Sequence, residues 1–195
     1  MSKTHAAILI IPATLALAGS FGQETPVVEA APERAETSTA FRVQVDLARG
    51  RRWELGWDGA AAYDIASGEL IRRVSLPGAT FAGDRDSCLP DMILSRSGAL
   101  IVSSNIEPRL WRVSPARFEV EIYDVATNGD EDKDFGFANL AWGASEKVLY
   151  AAGSPTGTPW RIDLMSATAV RVEPSSALAR TSCGQRVREI TSPTS

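Results

Sequence analysis

Three carboxylates at alternate positions, Asp130, Asp132 and Asp134 in the stretch NGDEDKDFGF (128–137), are the one plausible metal signal in this chain. Alternate carboxylates in a short loop can wrap a hard cation such as calcium. The match to a calcium loop is incomplete. Phe135 stands where such loops place glycine, Gly136 follows one position later, and Ala141 stands where a bidentate Glu would close the site. Two readings follow, a calcium site or a solvated acidic loop. No phosphate-cradling glycine loop and no Cys-x-x-Cys pair accompanies it.

Histidine is nearly missing. His5 is the one copy, and it lies in a segment with the marks of a secretory signal. Lys3 supplies a positive start, Ala6–Ala18 is an apolar run broken by Pro12, and Ala16-Leu17-Ala18 fits a small-x-small cleavage pattern. The run falls short of the roughly 20 residues needed to span a bilayer, so no membrane span is expected after removal of the signal (1–18). Cleavage would leave no histidine, which removes Ser-His-Asp and Cys-His pairs and the commonest zinc ligand. A net charge of −4, with no basic run longer than Arg51–Arg52 and Arg72–Arg73, argues against nucleic acid.

Residues 19–40 are rich in Ala, Glu, Thr and Pro and show little apolar periodicity, which predicts a disordered tether. From Phe41 the pattern is β throughout. FRVQVDL (41–47), ALIVSS (99–104), FEVEIYDV (118–125), KVLYAA (147–152) and TAVRVEP (168–174) are short, β-branched and bounded by turn residues. Two landmarks recur. Tyr63, Trp111 and Trp160 lie 48 and 49 residues apart, each followed two positions later by Ile65, Val113 or Ile162. The turns Arg49-Gly50, Ser97-Gly98 and Ser145-Glu146 are spaced by 48. This register reads Tyr63, Trp111 and Trp160 as equivalent packing residues and leaves Trp53, Trp57 and Trp142 outside it. A period of 40–50 residues built from four short strands is the signature of a propeller blade.

The segments SRSGALIVSSN with LWRVSPARFEVEIYDV, AWGASEKVLYAAG with PWRIDLMSATAVRV, and AYDIASGELIRRVSL resemble bacterial β-propeller repeats of the broad YVTN and WD-repeat-like class. The likeness covers about 41–190. It implies an all-β, propeller-like domain over 41–195 with blades at about 41–87, 88–135 and 136–181 and a partial blade at 182–190. Three blades and a strand fall short of the smallest usual ring of about four. Either the tether and last strand complete a fourth blade, or two chains share a ring as a homo-oligomer, or the product is truncated.

Cys88 and Cys183 stand 95 residues apart, close to two repeats, so both are expected to open an innermost strand. In an exported, oxidising setting they are expected to pair as a disulfide, the alternative being two free buried thiols. The turns within strand pairs are short, whereas GATFAGDRDSCLP (78–90), NIEPR (105–109), ATNGDEDKDFG (126–136) and GSPTGTP (153–159) are long and are expected to share the opposite end. Binding residues concentrate in such loops. The candidates there are Arg85, Asp86, Glu107, Arg109 and Lys133, with Asp130, Asp132 and Asp134. The functional expectation is a periplasmic or secreted scaffold or binding module for a protein or small ligand. The alternatives are a histidine-free propeller enzyme, hydrolase or quinoprotein-like oxidoreductase, or a remnant of a larger propeller.

Overall fold

A computed structural model describes residues 40–83, 88–129 and 134–172. The expected signal, the tether up to residue 39 and the expected strand at 182–190 lie outside the described residues. Among the described residues, no helix is long and apolar enough to cross a membrane.

The described chain is all β apart from one 3-10 turn at Leu47–Arg49. Strands β1 (Arg42–Asp46), β2 (Arg51–Gly56), β3 (Gly59–Asp64) and β4 (Leu70–Val74) form a first antiparallel meander. A second follows with β5 (Met92–Leu94), β6 (Leu100–Ser103), β7 (Arg109–Val113) and β8 (Val120–Asp124). The short β9 (Ala126–Thr127) then pairs in parallel with the outer edge of a third sheet, whose strands are β10 (Asp134–Trp142), β11 (Val148–Pro155), β12 (Pro159–Asp163) and β13 (Thr168–Arg171).

The turn between third and fourth strands recurs with different side chains in the same role. Asp64 accepts hydrogen bonds from the Ala66 and Ser67 amides, and Asp163 accepts them from Met165 and Ser166. At the matching point Ser114 Oγ accepts from the Glu119 amide. Hydrogen bonds from Ser67 hold the Asp64 carboxyl below its ordinary range, and those from Ser166 and Met165 do the same for Asp163. Each turn contains one left-handed residue: Gly68 (φ 75°), Phe118 (φ 59°) or Ala167 (φ 50°).

Period-two alternation divides the middle sheet between two cores. Leu100, Val102, Trp111 and Val113 pack with Trp53, Leu55, Ala60 and Ala62 of the first sheet. Ile101 and Leu110, on the opposite face, pack with Leu149, Ala151, Trp160 and Ile162 of the third.

The paired registers correct one sequence expectation. Trp111 lies opposite Val102 and Trp160 opposite Ala151, and the corresponding pair in the first sheet is Ala61 opposite Glu54. Tyr63 is the counterpart of Val113 and Ile162. It is half-buried, with the Arg52 guanidinium 5.0 Å from its ring centre. The offset between the first two sheets is 48 residues at Gly50 and Gly98 but 50 at Asp64 and Ser114, because the β6–β7 connection is longer than the β2–β3 turn. Counting residues therefore placed the aromatic two positions late.

The same register identifies the face of the first sheet that is turned away from the second. Where the other sheets carry Leu100 or Leu149 it has Arg52, and where they carry Val102 or Ala151 it has Glu54, paired with Arg52 at 2.8 Å. Val43 is 48% exposed, whereas its counterpart Met92 is 1% exposed.

The first strands of successive sheets lie side by side, joined by hydrogen bonds one period long. Gln44 Nε2 donates to the Met92 carbonyl (3.1 Å) and Trp142 Nε1 to that of Leu94 (2.7 Å). Asp91 reaches both ways: Oδ1 takes Arg42 Nε of the first sheet (3.3 Å) and Oδ2 the Leu140 amide of the third (2.8 Å). Asp91→Ala removes a charge-assisted bond and leaves a buried amide without its partner. The expected loss is about 2–3 kcal/mol in denaturant unfolding, and Asp91→Asn should recover only part of it. A loss within error of zero would mean that the sheets do not depend on this bridge.

Candidate functional site

Alternation of chain direction gathers the β2–β3, β6–β7 and β11–β12 connections at one end, together with the links between sheets. Glu107 and Arg109, two of the residues expected to act, meet there. The Arg109 guanidinium is held between Glu107 Oε2 (2.9 Å from Nη1) and Asp124 Oδ1 (2.6 Å from Nε). The hydrogen bond to Asp124 raises the arginine's affinity for its proton, against the opposing effect of burial. A shallow cavity of about 380 Å³ opens beside the trio, walled by Pro108, Val125 and Ala126.

The long connection after β4 is fixed from below by one fully buried side chain. Asn105 Nδ2 donates to the carbonyls of Ala82 and Cys88, both at 2.8 Å, and Oδ1 accepts the Ala82 amide (3.1 Å). A buried amide whose donors and acceptor are all used specifies one loop path. Trp111 Nε1 pins the same connection at the Pro77 carbonyl (3.0 Å). The third sheet also meets this platform. Phe137 N–H donates to the Ser104 carbonyl (2.7 Å), and Gly136 runs so close to the backbone of Asn105 and Ile106 that a Cβ there would collide.

Aromatic rings extend the end sideways. Phe41 stands 5.0 Å from Trp57 and 6.0 Å from Phe81, and Phe81 packs edge-to-face with Trp111 at 6.0 Å. Trp57, in the β2–β3 turn, is 47% exposed. The end thus offers a half-exposed indole and a net-negative Glu107–Arg109–Asp124 group on a braced platform.

Arg85, Asp86, Asp130, Asp132, Lys133 and Cys183 lie outside the described residues. Asp134 is the first residue of β10, paired with Pro155. Among the described residues no group of three or more His, Cys, Asp or Glu side chains could hold a metal. Cys88 is buried, and the described residues contain no free cysteine. Sequence reasoning missed Asp124, Asn105 and Asp91. Asp124 ends a strand, outside the long connections that marked the candidates, and the partners of the other two are far away in the chain.

A second cavity, about 230 Å³, opens between the second and third sheets at the end that carries the short turns.

No family model matches the chain, and no curated protein does. Among solved structures it is similar to the extracellular domain of the putative one component system BT4673 from B. thetaiotaomicron, with 13% identity and a TM-score of 0.45 over 67% of this chain and 16% of that one. A second structure, described as the extracellular domain of the putative hybrid two component system BT4673, gives 14% identity and a TM-score of 0.44 over 69% and 16%. A third, the dihydro-heme d1 dehydrogenase NirN in complex with DHE, gives 13% identity and a TM-score of 0.37 over 68% and 36%. The chain therefore spans well under two thirds of the length of each of these structures.

Proposed function

We propose that the three meanders are blades of a propeller-like array, and that the protein is an exported, non-enzymatic binding or scaffold module that presents its long-connection end to a ligand. The observation that carries the arrangement is Asp91, which stands immediately before β5 and bonds the first strands of the other two sheets, as inner strands converging on one axis would do. On the face of the first sheet turned away from the second, the Arg52–Glu54 pair stands where the other sheets carry apolar residues, and Glu54 and Ala61 are buried there.

Binding is supported over catalysis by two features. The segment after the proposed signal has no histidine, and Arg109 is already engaged by two carboxylates, Glu107 and Asp124, which leaves the trio net negative. The half-exposed Trp57 and the cavity beside Pro108 suit a peptide or small ligand with both apolar and polar groups.

Amide shifts of the isotope-labelled protein, titrated with a mixture of short peptides and small organic acids and bases, test the reading. Shifts are expected at 78–83, 104–109, 124–129 and the Trp57 indole. A response confined to other surfaces would refute it.

A further inference from the structure

The two interfaces between successive sheets share one backbone plan but are filled differently. Counterparts follow from strand register and from the glycines that precede each second strand, Gly50 (φ 61°) and Gly98 (φ 83°). On this register Trp53, which pairs with Ala62, corresponds to Ile101, which pairs with Arg112. Arg49 corresponds to Ser97, Arg51 to Ala99, and Phe118 to Ala167.

The first interface is filled by large side chains. Phe118 rests on Trp53 with ring centres 5.7 Å apart, the Arg51 guanidinium lies 5.1 Å from the Phe118 ring centre, and Arg49 Nη2 donates across to the Ser97 carbonyl (2.6 Å). In the second interface each of these large side chains is replaced by a smaller one. The cavity of about 230 Å³ opens there, with Ile101, Trp142 and Leu164 among its walls. Trp142 is a fixed wall because its indole N–H is bound to the Leu94 carbonyl.

The rim is polar. Arg112 is held loosely by Glu121 at 3.5 Å, and a Glu146 carboxylate oxygen accepts the Arg96 amide. Lys147 also lines the cavity, and among the described residues its ammonium makes no ion pair. An apolar slot with a fixed indole wall and an uncommitted cation has the chemistry to hold a flat apolar body that carries one negative charge.

We propose that this cavity is a second binding site, for a small aromatic carboxylate whose ring lies against Trp142 and whose carboxylate meets Lys147 and Arg112. It is separate from the long-connection end and does not depend on ligand binding there.

The probe is naphthalene-2-carboxylate, compared with neutral naphthalene-2-methanol and read from the Trp142 indole resonance and tryptophan fluorescence. Saturable binding is expected, weakened about tenfold for the alcohol and about tenfold by Lys147→Gln. Ser97→Arg and Ile101→Trp each restore a residue of the filled interface and should abolish binding. Ser97 lies in a turn, so that variant is expected to keep the fold even if Ile101→Trp does not, and circular dichroism would check this. Failure of the carboxylate to move the Trp142 signal at millimolar concentration would overturn the proposal. So would equal affinity for the alcohol, or unchanged binding in folded Ser97→Arg.

Discussion

Trp111→Ala is expected to cost about 3–5 kcal/mol of stability, the range for removing a large aromatic from a packed core. For a chain of this size that lowers the melting midpoint by roughly 6–20 °C. Trp111 is fully buried between the first and second sheets, packs edge-to-face with Phe81, and donates its indole proton to the Pro77 carbonyl. Truncation leaves a cavity, removes a ring contact and frees the carbonyl that anchors the connection after β4. Tyr63→Ala is the comparison. Equal spacing makes Tyr63 and Trp111 equivalent, so their costs would match. The paired registers place Tyr63 half-buried over Arg52 on the face turned away from the second sheet, where truncation should cost about 1 kcal/mol or less. Denaturant unfolding of the two variants side by side separates these registers, and equal losses would refute the structural one.

The contrast shows which parts of the fold local sequence could specify. Alternation such as Val120-Glu121-Ile122 marks a strand because side chains on successive residues face opposite ways, and the Gly50 and Gly98 turns mark its start. Repetition of those signals made the three meanders legible. It failed where a loop changed length, since two added residues in the β6–β7 connection shift every later counterpart. It could not reveal β9 either, a two-residue strand defined only by its parallel partner β13.

The long-connection end was legible in outline, because loop length is a local property. Glu107 and Arg109 were therefore identified, while Asp124, the other half of the arginine clamp, was not. Asn105 and Asp91 were invisible for a deeper reason. A polar residue in a loop looks the same whether it faces water or fastens two sheets, and its partners at 82, 88, 42 and 140 are set by the tertiary fold. The second cavity was harder still. It arises from side chains that are smaller than their counterparts one repeat earlier, and the counterparts could be assigned only after the strands were paired.

Cys88→Ser is expected to cost about 4–5 kcal/mol, which follows from the proposed Cys88–Cys183 bridge. A cross-link closing a loop of about 95 residues removes that much chain entropy from the unfolded state on the simplest account. Cys88 is buried at the foot of the connection into β5, and its carbonyl is fixed by Asn105, so a bond at this point would tie a late segment of chain to the first strand of the second sheet. If the bridge exists, Cys183→Ser should destabilise as much as Cys88→Ser, and the double variant little more than either, because one bond is lost in all three. Buried thiols acting independently would instead give unequal losses that add. Thiol titration of the denatured, unreduced protein supplies the second readout: none is expected, and two reactive thiols would eliminate the bridge.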